Sequence, residues 1–344
     1  MISKDLDIAE KLLRAGKLVA IPTETVYGLA ANALDIEAVT KIFEAKNRPT
    51  FDPLIIHTDS IEKVKNFVID FPEIAEKLAS HFWAGAMTLL LPKKNIIPDL
   101  VTSGMDTVAI RIPAHSLTLA LLARLEFPLA APSANPFGYI SPTTAQHVEN
   151  QLGAKILLTL DGGACEIGIE STIIGFENEK AIIYRLGGIS VEEIENVIGK
   201  VTIKTSSSNP KLANALANTL ANTLVNAQTG MDAPGMLESH YSPKKPLILV
   251  DFDTENSKNL NKIIEKYPSN KIGGLFFSEK EPRLLAENQL ILSKSRDYSE
   301  ATRNLFAMMR QLDTMDIDVI IAEILPEIGL GRAINDRLRR AAVK

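Results

Sequence analysis

Short apolar runs that stop at a proline or a polar cluster recur from residue 18 to residue 190, and they constrain the fold more than any other feature. Leu18–Ile21 ends at Pro22, which fixes φ and has no N–H to continue a ladder. Leu54–His57, Thr107–Ile112, Leu129–Ala131, Lys155–Leu160 and Ser171–Ile174 read as further strands. Between them, Asp35–Glu44 carries Ile36, Val39, Ile42 and Phe43 at helical spacing, and Leu117–Leu125 is a second helical run. The two periods mix without a regular βαβ repeat. The pattern therefore predicts an α/β domain with a mixed sheet, not a simple doubly wound one.

A chain of 344 residues suggests two domains. Residues 1–205 form the first, opening with an amphipathic helix that places Ile8, Leu12 and Leu13 on one side. Residues 206–245 read as a linker or lid. It holds Ser206–Ser208, Pro210, a Leu/Asn repeat (Leu212, Leu216, Leu220, Leu224), Ala233-Pro234-Gly235 and Ser242-Pro243. The repeat suits either a docked helix or a low-complexity tether. Residues 246–344 read as a smaller α/β domain. Its strands are Leu247–Val250 and Val319–Ala322, its helices lie around Asn259–Lys266 and Ala301–Leu312, and it ends in a basic helix, RAINDRLRRAAVK.

The net charge of -5 argues against coating nucleic acid by charge alone. One cysteine, Cys165, excludes a disulfide framework and a cysteine-built zinc site and suits a reducing cytoplasm. No apolar run approaches the ~18–20 residues of a membrane span. Phosphate-loop, HExxH, CxxC and GxSxG motifs are missing, and Gly329-Leu-Gly331 lacks the third glycine of a dinucleotide fingerprint.

Chemistry-bearing residues gather instead at strand ends. PTETVYGLA (Pro22–Ala30) follows the first strand, although a helix cap before core residues would look alike. Lys46 and Arg48 flank a proline turn and suit phosphate, or else solvent. His57 ends a strand, where a histidine is often a satisfied core residue. Arg111 lies in the apolar strand TVAIRIP and needs an anionic partner, either an internal carboxylate or, as we favour, a ligand carboxylate. Ser133 and Asn135 offer donors on a turn. Ser141-Pro142-Thr143 looks like a helix start, with Ser141 as N-cap and Pro142 as first helical residue, and such an end suits phosphate. Gly162-Gly163 is a tight turn, Glu170-Ser171-Thr172 starts a strand, and Arg185 follows another.

In this order, PTETVYGLA, KNRP with PLIIH, FWAGAMTLLL, VAIRIP, APSAN, SPT, ESTI and YRLGG, followed by APGMLESHYSPKKP and GLGRAINDRLRRAA, resemble the YrdC-like family. The likeness is strongest to its long, two-domain branch, the threonylcarbamoyl-AMP synthases. It covers almost the whole chain. It implies a twisted, mostly parallel and mixed sheet around a large positive cavity, with a Rossmann-like C-terminal domain. It implies a reaction in which L-threonine, bicarbonate and ATP, expected with Mg²⁺, give L-threonylcarbamoyl-adenylate, pyrophosphate and water. The product feeds tRNA threonylcarbamoyl transfer proteins, with no stable nucleic-acid binding by this chain. The implied threonine residues are Thr25, His57, Arg111, Ala131 and Ser171. The implied nucleotide residues are Arg48, Asp52, Thr107, Ser133, Ser141, Arg185 and Tyr241, with Lys46 and Arg48 acting electrostatically and no nucleophile. The metal ligands are open.

Two positions depart from the family pattern. Asp52 stands where asparagine is usual, and Ala233 where serine is usual. A carboxylate at 52 would face phosphates unless protonated, turned away or on the metal. The alternative function is an RNA-binding or ribosome-maturation module, for which Arg337, Arg339 and Arg340 form a basic tail. Carbamoyl transfer to another protein, as in YrdC-like hydrogenase-maturation proteins, would need a zinc-finger segment that one cysteine cannot build.

Overall fold

The computed structural model describes residues 1–204, 233–237, 239–252 and 257–343. The Leu/Asn repeat lies outside them. The strands of the first domain are β1 (Ile2–Ser3), β2 (Val19–Ile21), β3 (Gly28–Asn32), β4 (Ile55–His57), β5 (Met87–Pro92), β6 (Thr107–Arg111), β7 (Leu129–Ala130), β8 (Leu158–Leu160), β9 (Thr172–Glu177), β10 (Lys180–Arg185) and β11 (Thr202–Ile203). They form one sheet in the order β1-β8-β2-β3-β7-β4-β6-β5-β9-β10-β11. Its pairings divide evenly between parallel and antiparallel, so the sheet is mixed but not mostly parallel.

The strands are short because each apolar run is cut where the sequence turns polar. Central strands bury both faces, as in Val19–Ile21 and Ile55–His57, and read as continuous apolar runs. Helices cover them: Ile36–Lys46 buries Ala38, Val39, Ile42 and Phe43, and the Asp35 carboxylate caps its first turn. The opening helix, Leu6–Arg14, turns Ala9 and Leu13 inward, whereas Ile8 is exposed. The Asp5 N-cap sets that rotation, and the residues before it pair with β8 as an edge strand.

The second domain has strands β12 (Leu247–Val250), β13 (Ile272–Phe276), β14 (Gln289–Ile291) and β15 (Val319–Glu323), all parallel in the order β12-β15-β13-β14. Helices Ser257–Lys266, Tyr298–Thr314 and Gly331–Ala342 pack on this small Rossmann-like sheet. Among the described residues no helix is long and apolar enough to cross a membrane.

The two domains share core. Val26, Ile140 and Ile169 of the first pack with Tyr241 and with Leu305, Phe306, Ile334 and Leu338 of the second. Gly168 has φ +85°, and a Cβ there would lie 2.6 Å from the Thr302 carbonyl oxygen, so glycine permits this close approach. Tyr139 donates to Asp313 at 2.6 Å, Arg310 donates to the carbonyls of Ile140 and Ser141, and Arg332 pairs with Glu192 at the rim.

Candidate active site

Three of the expected site residues are the last residues of their strands: His57 of β4, Arg111 of β6 and Arg185 of β10. Parallel pairing of β4 with β6 sets His57 directly opposite Arg111, so both side chains leave the same face of the sheet. They line a cleft holding about 580 Å³ of space, counting the part open to solvent. Thr25, Arg48, Ala131, Ser133, Ser171 and Tyr241 line it too. Nine of the expected residues thus converge from seven separate motifs.

Four do not reach the lining. Lys46 is buried behind it, with its ammonium donating at 2.5 Å to the carbonyl oxygens of Ser133 and Asn135. It shapes the Ser133 turn from behind. Asp52 sits behind Arg48. Thr107 lies at the start of β6, remote from the strand end that carries Arg111. Ser141 is not a helix N-cap. The helix begins at Ala145 with Thr144 as cap, because the preceding residues are held extended, their carbonyls accepting from Tyr27 N and Cys165 N. The Ser141 hydroxyl donates instead to Glu170, at 2.5 Å.

Arg111 finds its anion inside the protein. Its Nη2 donates to Glu24 Oε1 at 2.6 Å, Nη1 to Thr25 Oγ1 at 2.9 Å and Nε to the Gly85 carbonyl at 3.0 Å. The internal carboxylate was the less favoured of the two sequence readings. The pair is stiff: Thr25 is in turn bonded to Thr23, 2.8 Å away.

Arg48 lies 2.9 Å from Asp52 Oδ2 and donates to the carbonyls of Asp52 and Pro53. Asp52 is turned away from the cleft toward this guanidinium and the linker. Burial raises the Asp52 pKa and lowers that of Arg48, and each charge opposes the shift in its partner. Among the described residues Arg185 has no carboxylate ion-pair partner. It donates to the Ser171 carbonyl and hydroxyl and, through Nη1, to the Pro234 carbonyl at 3.2 Å. Burial lowers the pKa of Lys46 well below the usual amine range, with Arg48 adding to the effect.

The linker covers the cleft. Gly235, at φ +76°, donates its N–H to Asp52 Oδ1 at 3.5 Å, and Ser242 N donates to the Gly138 carbonyl. His240 and Tyr241 are buried, their rings edge-on at 4.0 Å, with Tyr241 stacked on Phe306. Among the described residues three buried atoms of the lining side chains have no hydrogen-bond partner: His57 Nδ1, His240 Nδ1 and the Tyr241 hydroxyl. Buried polar atoms are normally satisfied, so these three are exceptions gathered at the cleft. Burial, then Arg111, brings the His57 pKa down to about 3, and burial raises Tyr241 to about 12. Both are neutral at pH 7.

Sequence reasoning assigned no site role to Glu24, Glu170 or Arg337. Glu24 and Glu170 stand inside quoted motifs. Arg337 carries a signal of the kind that flagged Arg111, a cation on the apolar stripe of Ile334, Leu338 and Ala341. Arg337 pairs with Glu170 at 2.8 Å, Arg339 with Glu327, and Arg340 with Asp336. Arg337 is thus wholly buried and Arg340 mostly so, whereas Arg339 stays exposed in a surface pair.

Residues 11–187 match the family described as Telomere recombination, and residues 189–343 the family described as Threonylcarbamoyl-AMP synthase, C-terminal domain. The chain is similar to the threonylcarbamoyl-AMP synthase of Pyrococcus abyssi, 41% identical over 97% of this chain and 93% of that one. It is also similar to that of Bacillus subtilis, 38% identical over 97% and 92%. A crystal structure of P. abyssi Sua5 complexed with L-threonine superposes with a TM-score of 0.83 at 40% identity, over 98% of this chain and 94% of the other.

Proposed function

The chain belongs to the threonylcarbamoyl-AMP synthase family, and we propose that its cleft joins L-threonine, bicarbonate and ATP into L-threonylcarbamoyl-adenylate, releasing pyrophosphate and water. It is an enzyme, a nucleotidyltransferase whose product serves tRNA modification. The observation that carries the substrate reading is the charge of the cleft. Arg48, Arg111 and Arg185 end on its wall, and among the described residues the hydrogen bonds of Arg185 go to hydroxyl and carbonyl oxygens.

Threonine occupies the end formed by Thr25, His57, Arg111, Ala131 and Ser171. Arg111 keeps N–H groups beyond those given to Glu24, Thr25 and Gly85, and they receive the substrate carboxylate. The small side chain of Ala131 leaves room. ATP lies toward Arg48, Ser133, Arg185 and Tyr241. Threonine's amine captures bicarbonate-derived CO₂, a carbamate oxygen attacks the α-phosphorus, and pyrophosphate leaves. Positioning and preorganised donors carry the acceleration.

The donor set does not make a metal cage. Among the described residues no group of three or more His, Cys, Asp or Glu side chains converges, and Asp52, Glu24 and Glu170 each face an arginine. Mg²⁺ would accordingly be held by the phosphates of ATP and not by a protein cage, and it would offset their charge there. The buried single cysteine supports a reducing cytoplasm, and the product passes to separate tRNA threonylcarbamoyl transfer proteins. The test is pyrophosphate release from ATP by the full chain. It requires both L-threonine and bicarbonate, and equal release without threonine refutes the reading.

A further inference from the structure

Arg337 comes from the C-terminal helix Gly331–Ala342, yet its guanidinium is wholly buried against the first domain. Its Nε donates to Glu170 Oε2 at 2.8 Å, its Nη1 to Asp336 Oδ2 at 2.8 Å, and its plane lies 5.1 Å from the Tyr241 ring. The other oxygen of Glu170 accepts from Ser141. Glu170 and Tyr241 both line the cleft, whereas Arg337 does not. One turn on, Arg340 donates to the Leu237 carbonyl and accepts from His240 N through its own carbonyl oxygen.

We propose that Arg337 is a positioning residue for the nucleotide: it neutralises Glu170 and seats the Tyr241 ring, so that the C-terminal domain completes the ATP side of the cleft. Simple docking does not require this arrangement. Arg310, the Tyr139–Asp313 pair and the Arg332–Glu192 pair already tie the domains together, and none of those arginines pairs with a carboxylate on the cleft wall. Glu170 alone would be a buried carboxylate beside incoming phosphates. Without its cation it opposes them by like charge and remains uncompensated in the interior. Arg337 removes that opposition, and through the face of the Tyr241 ring it also holds a linker residue that lines the cleft.

The inference rests on ATP binding in this cleft, so its test carries a readout that does not need turnover. Full-length Arg337→Met, Arg337→Lys, Glu170→Gln, Arg337→Met/Glu170→Gln and Arg332→Ala are compared with the unmodified chain. The measurements are pyrophosphate release and the upward shift in melting temperature on adding ATP. Arg337→Met raises the KM for ATP about tenfold or more and shrinks the ATP-induced shift, while the KM for threonine stays within about twofold. Arg337→Lys, which keeps the charge but loses the fork, falls between. Adding Glu170→Gln to Arg337→Met recovers most of the ATP affinity, because a neutral amide no longer repels phosphate. Arg332→Ala, which only loosens the rim, changes neither KM. A folded Arg337→Met with unchanged ATP affinity, equal losses for both substrates, or no recovery in the double variant overturns the proposal. If Arg337→Met does not fold, unchanged ATP affinity in Arg337→Lys overturns it equally. An unmodified chain that binds ATP but shows no threonine-dependent release refutes the reaction and leaves the Arg337 comparison decided by the thermal shift.

Discussion

The guanidinium of Arg48 lies 2.9 Å from the carboxylate of Asp52, four residues on, and neither side chain is more than 5% exposed. An anion at position 52 is thereby spent on a neighbour and on the Gly235 N–H, so it does not confront the nucleotide directly. It does offset the positive charge that Arg48 offers to the cleft.

Asp52→Asn therefore separates stability from binding. The single amide oxygen can face either Arg48 or the Gly235 N–H but not both, while the carbonyls of Asp52 and Pro53 stay with the guanidinium. The chain loses about 1–3 kcal/mol of stability, while ATP binds more tightly. Thermal melts with and without ATP are the check: the variant melts lower alone and shows the larger ATP-induced rise. A smaller rise would mean that Asp52 serves the bound nucleotide.

Arg111→Lys tests the threonine end. Lysine keeps the positive charge beside Glu24, so the variant folds, but it cannot serve Glu24, Thr25, Gly85 and a substrate carboxylate from one planar fork. The KM for threonine rises about tenfold or more, with ATP affinity within about twofold. Arg111→Ala is the poorer probe, since it strands the buried Glu24 and costs about 3–5 kcal/mol of stability. Equal losses for both substrates in Arg111→Lys would return Arg111 to a purely structural role.

Tyr241→Phe removes a buried hydroxyl that has no partner among the described residues. Its stacking on Phe306 and its contact with Arg337 survive. Unfolding in the absence of ligand is unchanged or up to about 1 kcal/mol more difficult, yet ATP binds less well and more of the adenylate is lost to hydrolysis. Calorimetry on the apo variant, paired with the yield of intermediate, reads both effects. Full activity in the phenylalanine form would remove the hydroxyl from the site.

Acid should unfold this protein through its histidines. Burial lowers His57 to about 3, then Arg111 adds to it; burial lowers His147 to about 4, and His240 lies well below its ordinary value. The unfolded chain takes up these protons first, so the stability is complete above about pH 6.5 and is lost as pH falls toward the folded values. Each histidine contributes a slope of at most about 1.4 kcal/mol per pH unit. His57→Asn accordingly removes about 2 kcal/mol of the loss between pH 6.5 and pH 5. Urea melts across that range measure it, and an unaltered slope would show that His57 is protonated in the folded state.

The polar strand ends were legible because each interrupts an apolar run. A cation in such a run, as at Arg111, announces a buried partner whatever the fold. Which partner was not legible: Glu24 lies 87 residues away, and only the sheet order brings them together. The SPT segment misled for a related reason. Its residues are good helix starters, but backbone pairing with Tyr27 and Cys165 holds them extended and moves the cap to Thr144. Arg337 was readable as a cation on an apolar stripe, but a run of arginines in RAINDRLRRAA suggests a solvated face. That holds for Arg339, but tertiary pairing with Glu170 buries Arg337.

The core shared by Val26, Ile140, Ile169 and Phe306 also governs how the chain is made. Translation completes the first domain long before Phe306, Ile334 and Leu338 leave the ribosome. Until then Val26, Ile140 and Ile169 lack these apolar partners, and Glu170 waits for Arg337, which lies 167 residues further along the chain. The nascent first domain is thus an aggregation-prone intermediate. A premature stop after Thr205 leaves these side chains without the partners, and Glu170 without the cation, that the second domain supplies.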